Sequence, residues 1–184
     1  MNKKLTGVVG LVVLAAIIGA SNLIISELLP RVDLTAENLY TLSDGSKAVL
    51  GKVERKITLK YFYSESAKDM PASLKTYAEQ VRDLLREYER AGNGNVVLEM
   101  YDPKQDSDEE EWATKYGIEP QQVNPFGAPV YCGLVAACEG REETIAGFSP
   151  RTEPTLEYDI TRCITRVAWP ERPVVGILSG IPGV

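Results

Sequence analysis

The stretch Ile57-Thr58-Leu59-Lys60-Tyr61-Phe62-Tyr63 begins the strand, helix, strand pattern that decides the fold. Its β-branched and aromatic residues are typical of a strand. Between Leu74 and Tyr88, apolar residues recur at the spacing of an amphipathic helix, with charged residues between them. A second strand is predicted over residues 96–101. This order predicts a βαβ unit, in which a right-handed crossover joins two parallel strands.

The charge cluster from Asp106 to Glu111 follows this unit. It lacks the glycine and the ligand spacing of a calcium loop. We therefore interpret it as a helix N-terminus, where acidic side chains face the positive end of the helix dipole. Trp112 and Tyr116 are expected to supply the buried side of this helix, and Gly117 to end it.

A hairpin and a last helix are predicted downstream. The apolar run Val130 to Cys138 predicts a buried strand, and Glu139-Gly140 is typical of a hairpin turn. The charged segment Glu142 to Ile145 predicts a returning strand at a sheet edge. The last helix is expected to begin near Pro154 and to stop at Pro170. Its apolar face is predicted to carry Leu156, Ile160, Cys163, Ile164 and Val167.

The complete order β, α, β, α, β, β, α predicts an α/β fold with a thioredoxin-like domain over residues 57–170, an assignment from topology alone. Such folds often hold a cis-proline before the third strand. Pro129 is the candidate, and an ordinary trans bond is the alternative. Where redox members hold a cysteine pair, this chain has Ser64-Glu65-Ser66-Ala67. The fold is therefore expected without redox cysteines.

The three cysteines are interpreted as small, buried, apolar residues. Cys132 and Cys138 lie on one predicted strand, which would separate their Cα atoms by about 20 Å, well beyond the limit of about 7 Å for a disulfide. Cys163 lies in the last predicted helix. The sequence contains no C-x-x-C motif.

Residues 1–29 predict a transmembrane anchor. Leu5 to Ile25 is almost entirely apolar and is long enough to span a bilayer core of about 30 Å. Lys3 and Lys4 favour an N-terminus in the cytoplasm. The expected location is the cytoplasmic membrane, with the domain periplasmic or extracellular. The alternative is a signal peptide that is cleaved near Gly19 to Ser21.

Residues 30–56 predict a juxtamembrane neck that packs against the domain. Thr35 and Ser43 are suitable N-caps for two short helices, and Gly51 is expected to end the second in a left-handed conformation. Residues 171–184 resemble a buried strand that runs into a glycine turn, and predict the start of a truncated second α/β domain. A strand that adds to the first sheet is the alternative.

Composition excludes several functions. The 184-residue chain has a net charge of −6 and no histidine. Its acidity disfavours nucleic acid as a partner, and a Ser-His-Asp hydrolase is excluded. The chain has no phosphate-binding G-x-x-x-x-G-K-[ST] loop, so it is not an ATPase. No residue pattern indicates a catalytic, cofactor-binding or metal-binding site.

Several short motifs together resemble the GldG family of auxiliary proteins of ABC transport systems, which includes one associated with gliding motility. Asp33-Leu34-Thr35 and Leu39-Tyr40-Thr41-Leu42-Ser43 follow the predicted anchor. The resemblance continues through residues 57–63, 99–103, 116–118, 156–162 and 173–180 and covers nearly the whole chain. Family members carry a second α/β domain and usually a final membrane helix. This sequence has neither, so the resemblance implies that it is a fragment of a longer protein.

The resemblance implies a non-catalytic auxiliary subunit that works beside an ABC permease and an ATPase subunit. The irregular loop of Asn124, Pro125, Phe126 and Gly127 is the candidate contact site, because loops of this kind carry recognition. The alternative is a thioredoxin-like envelope enzyme or redox protein, with Cys132 or Cys138 as its nucleophile.

Overall fold

Regular structure forms in the order that the sequence predicts, preceded by one short helix. The computed structural model describes residues 41–125 and 127–170, together with Leu14. The elements are α1 (Asp44–Leu50), β1 (Ile57–Tyr63), α2 (Ala72–Ala91), β2 (Val96–Tyr101), α3 (Asp108–Lys115), β3 (Cys132–Cys138), β4 (Arg141–Ile145), a 3₁₀ helix (Pro150–Thr155) and α4 (Leu156–Ala168).

The four strands form one mixed sheet in the order β2-β1-β3-β4. The predicted parallel pairing of β1 with β2 is confirmed, while β3 runs antiparallel to both β1 and β4. Glu139 and Gly140 join β3 to β4 with φ angles of 49° and 80°. A two-residue turn with both φ angles positive suits the twist of a hairpin, and glycine adopts such an angle without strain.

The two faces of the sheet pack against different helices because side chains alternate along each strand. Ile57, Leu59, Tyr61 and Tyr63 lie on the face that α2 and α4 cover, and all four are buried. The opposite face, called the α3 face, holds a smaller cluster around Phe62. Its other buried members are Ala113, Ile118, Tyr131 and Val135. The larger core also includes Leu42, Leu50 and Val53, so residues on either side of α1 pack into it.

Side-chain caps set the starts of α1 and α3, the first of them at the predicted N-cap Ser43. The Ser43 hydroxyl accepts a hydrogen bond from the Ser46 N–H at the start of α1, and the Ser107 hydroxyl accepts one from the Glu110 N–H at the start of α3. The acidic cluster therefore forms a helix N-terminus. Gly117 follows α3 with a φ of +78°, which agrees with its predicted role as a helix stop.

The expectation for Gly51 is wrong. Its φ is right-handed at −62°, because the chain continues in tight turns from Lys52 to Val53 and does not reverse there. Among the described residues no cis peptide bond occurs, so of the two alternatives for the bond before Pro129 the structure has the trans form. Pro154 lies in the 3₁₀ helix that leads directly into α4 and not in α4 itself.

The expectation that Trp112 is buried is also wrong. It is 43% exposed, and the buried residue of α3 is Ala113. A helix of eight residues turns one narrow stripe toward the sheet, and the small alanine lets that stripe approach closely. One strand boundary also differs: Val130 lies outside β3 and forms a separate antiparallel bridge with Gln121.

Polar side chains at both edge strands of the sheet disfavour pairing with a further strand. On β4, Glu142 is exposed and Glu143 pairs with Arg166 of α4, in agreement with the predicted charged edge. On β2, the Leu98 N–H donates a hydrogen bond to the Glu89 carboxylate of α2 over 2.9 Å. This backbone donor at the free edge of β2 is thus occupied by a side chain.

The predicted anchor (residues 1–29), most of the neck and the predicted second-domain segment (residues 171–184) lie outside the described residues, apart from Leu14. Within residues 41–125 and 127–170, every helix is too short or too polar to cross a bilayer.

Candidate functional site

Three loops meet at the end of the sheet where the parallel strands β1 and β2 finish and β3 begins. They comprise residues 64–71, residues 102–107 and residues 121–131. In open α/β sheets, ligands bind beyond the carboxyl ends of the parallel strands. This loop cluster is therefore the first place to look for a functional site.

Ser64 joins the three loops. Its side chain is 1% exposed, and its hydroxyl donates to the Pro103 carbonyl over 2.9 Å. The same oxygen accepts a hydrogen bond from the Tyr131 N–H over 3.0 Å, and the Ser64 N–H donates to the Tyr131 carbonyl over 3.0 Å. Because buried backbone groups need partners, a small hydroxyl side chain suits this crossing point.

A second link between two of the loops is exposed. Ser66 donates from both its backbone N–H and its hydroxyl to one carboxylate oxygen of Asp102, each over 3.2 Å. The other oxygen of Asp102 lies 3.5 Å from the Lys104 ammonium. The loop after β1 is therefore attached to the loop after β2 by buried and exposed contacts.

The loop before β3 is closed on itself. Gln121 and Val130 exchange backbone hydrogen bonds of 2.8 and 3.0 Å. Within that ring, the Gln122 amide donates to the carbonyls of Asn124 and Gly127, and the Gly127 N–H donates to the Asn124 carbonyl. The loop conformation is thus held by its own polar groups.

The predicted contact residues Asn124, Pro125 and Gly127 lie together at the tip of this loop, and Phe126 lies outside the described residues. Pro125 is exposed, and Asn124 and Gly127 are half-buried. A Cβ atom on Gly127 would lie 3.3 Å from an Asp69 carboxylate oxygen and 3.1 Å from the Asn124 Cβ. The tip therefore approaches the loop after β1, and a larger residue at position 127 would crowd that approach.

Tyr61, Tyr63 and Cys132 lie at the ends of β1 and β3 next to these loops. The Tyr61 and Tyr63 rings are stacked 5.9 Å apart. The Tyr61 hydroxyl donates to the Ala78 carbonyl over 3.0 Å and lies 3.4 Å from the Cys132 sulfur. Burial raises the pKa of the Cys132 thiol to about 11, although its hydrogen bond with Tyr61 acts in the opposite direction. The thiol is therefore protonated, and a protonated thiol is a poor nucleophile.

The other cysteines are also buried and free, which confirms their interpretation as small apolar residues. Burial raises the pKa of Cys163 to about 12. No group of three or more histidine, cysteine or acidic residues in the described part of the chain has the arrangement of a metal site.

The sequence predicted an irregular loop over residues 124–127 but not the hydrogen bonds by which Ser64 links the three loops. The only sequence signal for this role of Ser64 is that a small hydroxyl residue directly follows an apolar strand. Its partners lie 39 and 67 residues further along the chain, so no local pattern shows them.

Comparison with known protein families identifies a match over the first part of the domain. A family model described as "Domain of unknown function (DUF7088)" matches residues 36–137, more than half of the 184-residue chain. The matched range contains the three loops of the candidate site and both parallel strands. No curated protein and no solved structure matches the chain.

Proposed function

The chain belongs to the DUF7088 family, and we propose that it is a non-catalytic, membrane-anchored auxiliary subunit of an ABC-type transport system. In this proposal it is similar to the GldG proteins, one of which is associated with gliding motility. Its domain contacts an ABC permease or ATPase complex, or the cargo of that complex, through the loop of residues 124–127.

One observation carries this proposal: the loop cluster has a fixed conformation and an exposed tip. Ser64 binds the backbone of the other two loops, and the Gln122 amide donates to the carbonyls of Asn124 and Gly127. Binding costs less conformational entropy when the contact surface is already ordered. A preformed tip with exposed Pro125 therefore suits recognition of a partner.

We further propose that the domain is thioredoxin-like. The order of its elements, the sheet order β2-β1-β3-β4 and the parallel pair of β1 with β2 support this assignment. In this arrangement the loop after β1 occupies the place where redox members carry their thiols. Ser64 and Ser66 make structural hydrogen bonds there.

The proposed location is the cytoplasmic membrane. A single helix over residues 1–29 would hold the chain with its N-terminus inside and its domain in the periplasm or outside the cell. The support is the apolar run that follows Lys3 and Lys4.

Photo-crosslinking in the native cell tests this function. A photoreactive residue replaces Pro125 in the full-length protein, and a matched control carries it at Arg86, whose side chain is 49% exposed on α2. We expect the Pro125 probe to capture a permease or ATPase subunit more efficiently than the Arg86 probe. Equal capture at both positions would refute a role for the loop, and a membrane fraction that yields neither subunit would refute the transport role.

An envelope enzyme or redox protein is the alternative. It would use Cys132 or Cys138 as a nucleophile, yet both side chains are buried, and burial raises the pKa of Cys132 to about 11. This alternative requires rapid thiol modification in the folded protein, whereas buried, protonated thiols should react slowly.

A further inference from the structure

A small pocket lies on the α3 face, away from the loop tip. Lys60, Tyr101, Trp112, Lys115 and Tyr116 line it, and its volume is about 240 Å³. Sites for drug-sized ligands measure about 300–1,000 Å³. This pocket therefore has room for one ring of a ligand whose remainder extends into solvent.

The aromatic wall of the pocket is supported from below. Tyr101 stacks on the buried Phe62 ring at a centroid distance of 4.8 Å and an interplanar angle of 15°. The Trp112 ring meets the Tyr101 ring edge-on, with a centroid distance of 5.8 Å and an interplanar angle of 87°. Trp112 is 43% exposed. A large apolar ring is thus held in position while part of its surface faces water. This is the arrangement of a contact residue more than of a core residue.

The polar rim of the pocket offers both hydrogen-bond donors and acceptors. The Lys60 ammonium donates to the Tyr116 hydroxyl over 2.6 Å, and the nearest Glu142 oxygen is 3.9 Å away, beyond hydrogen-bond distance. An ammonium has three donors, so Lys60 retains donating capacity. Glu99 faces Lys60 across the sheet and accepts from the Tyr101 hydroxyl over 2.8 Å, which leaves further lone pairs.

Groups of both charges lie at the pocket. The lining itself carries the two lysines Lys60 and Lys115. Two carboxylates adjoin it: Glu142 lies 3.9 Å from the Lys60 ammonium, and Glu99 accepts a hydrogen bond from the Tyr101 hydroxyl. An anionic ligand would be attracted to the lysines and repelled by the carboxylates, and a cation would meet the reverse. A neutral ligand that both donates and accepts hydrogen bonds avoids this conflict.

We propose that this pocket binds one uncharged sugar ring of a glycan. A pyranose ring has an apolar face of C–H groups that can cover the exposed Trp112 indole. Its hydroxyl groups accept hydrogen bonds from Lys60 and donate to Glu142 or Glu99. The proposal does not depend on the transport role, because it concerns a different face of the domain.

The test uses the full-length chain in dimethyldodecylamine oxide, a detergent without a sugar headgroup. Replacing Trp169 with Phe leaves Trp112 as the remaining tryptophan of the two in the sequence, so emission reports on the pocket alone. The probes are cellotriose, maltotriose, mannotriose and chitotriose. We expect at least one of them to change Trp112 emission in a saturable way, with a Kd of about 1 mM.

Two pairs of variants separate pocket binding from other effects. Lys60→Met should weaken binding at least about tenfold, about 1.4 kcal/mol at 25 °C, whereas Lys56→Met, at an exposed position outside the pocket, should leave it unchanged. Measured by calorimetry, Trp112→Ala should abolish binding, whereas Tyr158→Ala, which removes an aromatic ring that is 66% exposed elsewhere, should not.

The proposal fails if all four trisaccharides leave the emission unchanged at concentrations tenfold above the expected Kd. It also fails if binding survives both Lys60→Met and Trp112→Ala. Saturable binding of benzoate in the absence of sugar binding would identify an anion pocket instead, and would likewise overturn it.

Discussion

Ser64 and Tyr131 are joined by a reciprocal pair of hydrogen bonds, each 3.0 Å long, across 67 residues of sequence. The Ser64 N–H donates to the Tyr131 carbonyl, and the Ser64 hydroxyl accepts from the Tyr131 N–H. The same hydroxyl donates to the Pro103 carbonyl over 2.9 Å. One buried side chain therefore determines how the loops after β1 and β2 meet the loop before β3.

Ser64→Ala should destabilise the domain by about 2–4 kcal/mol, because it leaves the Tyr131 N–H and the Pro103 carbonyl buried without this partner. Ser66→Ala is the matched control: it removes an exposed hydroxyl from the same loop and should cost about 0.5 kcal/mol or less. Urea unfolding measures both. Equal losses in the two variants would contradict the role assigned to Ser64.

Removing the hydroxyl group should lower the stability of the domain at Tyr88 but not at Tyr63. The Tyr88 hydroxyl donates to the Glu157 carbonyl over 2.9 Å and lies 2.6 Å from the Thr161 hydroxyl, so Tyr88→Phe should cost about 1–2 kcal/mol. The Tyr63 hydroxyl is buried with no hydrogen-bond partner in the described part of the chain. Tyr63→Phe should therefore be neutral or stabilise by up to about 1 kcal/mol. Thermal unfolding compares the two, and a similar loss in both would refute this difference.

Stability should depend on pH through Glu157. Burial acts to raise the pKa of this carboxyl, but hydrogen bonds from Ser46 and Ser43 outweigh it, and the pKa is lowered overall. A lowered pKa in the folded state stabilises the protein above the unfolded pKa of about 4.3, and this contribution is lost as pH falls through the folded value.

Glu157→Gln should therefore lower the unfolding free energy at neutral pH, by no more than about 1 kcal/mol because solvent screens this partly exposed carboxylate. The difference from the parent protein should shrink as the pH falls below the unfolded pKa of about 4.3. Urea unfolding at several pH values measures this. Glu153→Gln, at an exposed position on the 3₁₀ helix, is the control and should show little difference at any pH. A constant gap for Glu157→Gln across this range would show that its charge is not the cause.

Cys132 should resist alkylation while the protein is folded. With a pKa of about 11, only about one thiol in a thousand is ionised at pH 8, and the side chain is fully buried. Iodoacetamide followed by mass spectrometry should find Cys132 unmodified in buffer and modified in concentrated urea. Labelling within minutes in buffer would favour the enzymatic alternative.

Local patterns predicted the elements well and the long-range contacts poorly. The bounds of β1 and β2 agree with the prediction, because a strand rich in β-branched and aromatic residues and an amphipathic helix each leave a periodic signal. The predicted cap at Ser43 is equally local. Ser64 and its hydroxyl partners, like Tyr61 and Cys132, are far apart in the sequence. A local sequence pattern therefore cannot predict these contacts.

Trp112 shows why burial is hard to predict from residue type. An indole is expected inside a protein, yet α3 turns the small Ala113 toward the sheet and leaves Trp112 at the pocket rim. In the candidate site, the sequence indicated Asn124, Pro125 and Gly127 but not the exposed Ser66–Asp102 contact, because that contact depends on how two parallel strands end side by side.

The Glu89 carboxylate, which accepts a hydrogen bond from the Leu98 N–H, disfavours self-association through the edge of β2. Sheets polymerise when an open edge accepts a strand from another molecule, and such growth leads to fibrils. A carboxylate blocks one template position on β2, and like charges deter a second copy from adding to β4. Both features disfavour edge-to-edge stacking at high concentration, and Glu89→Ala would remove only the one on β2.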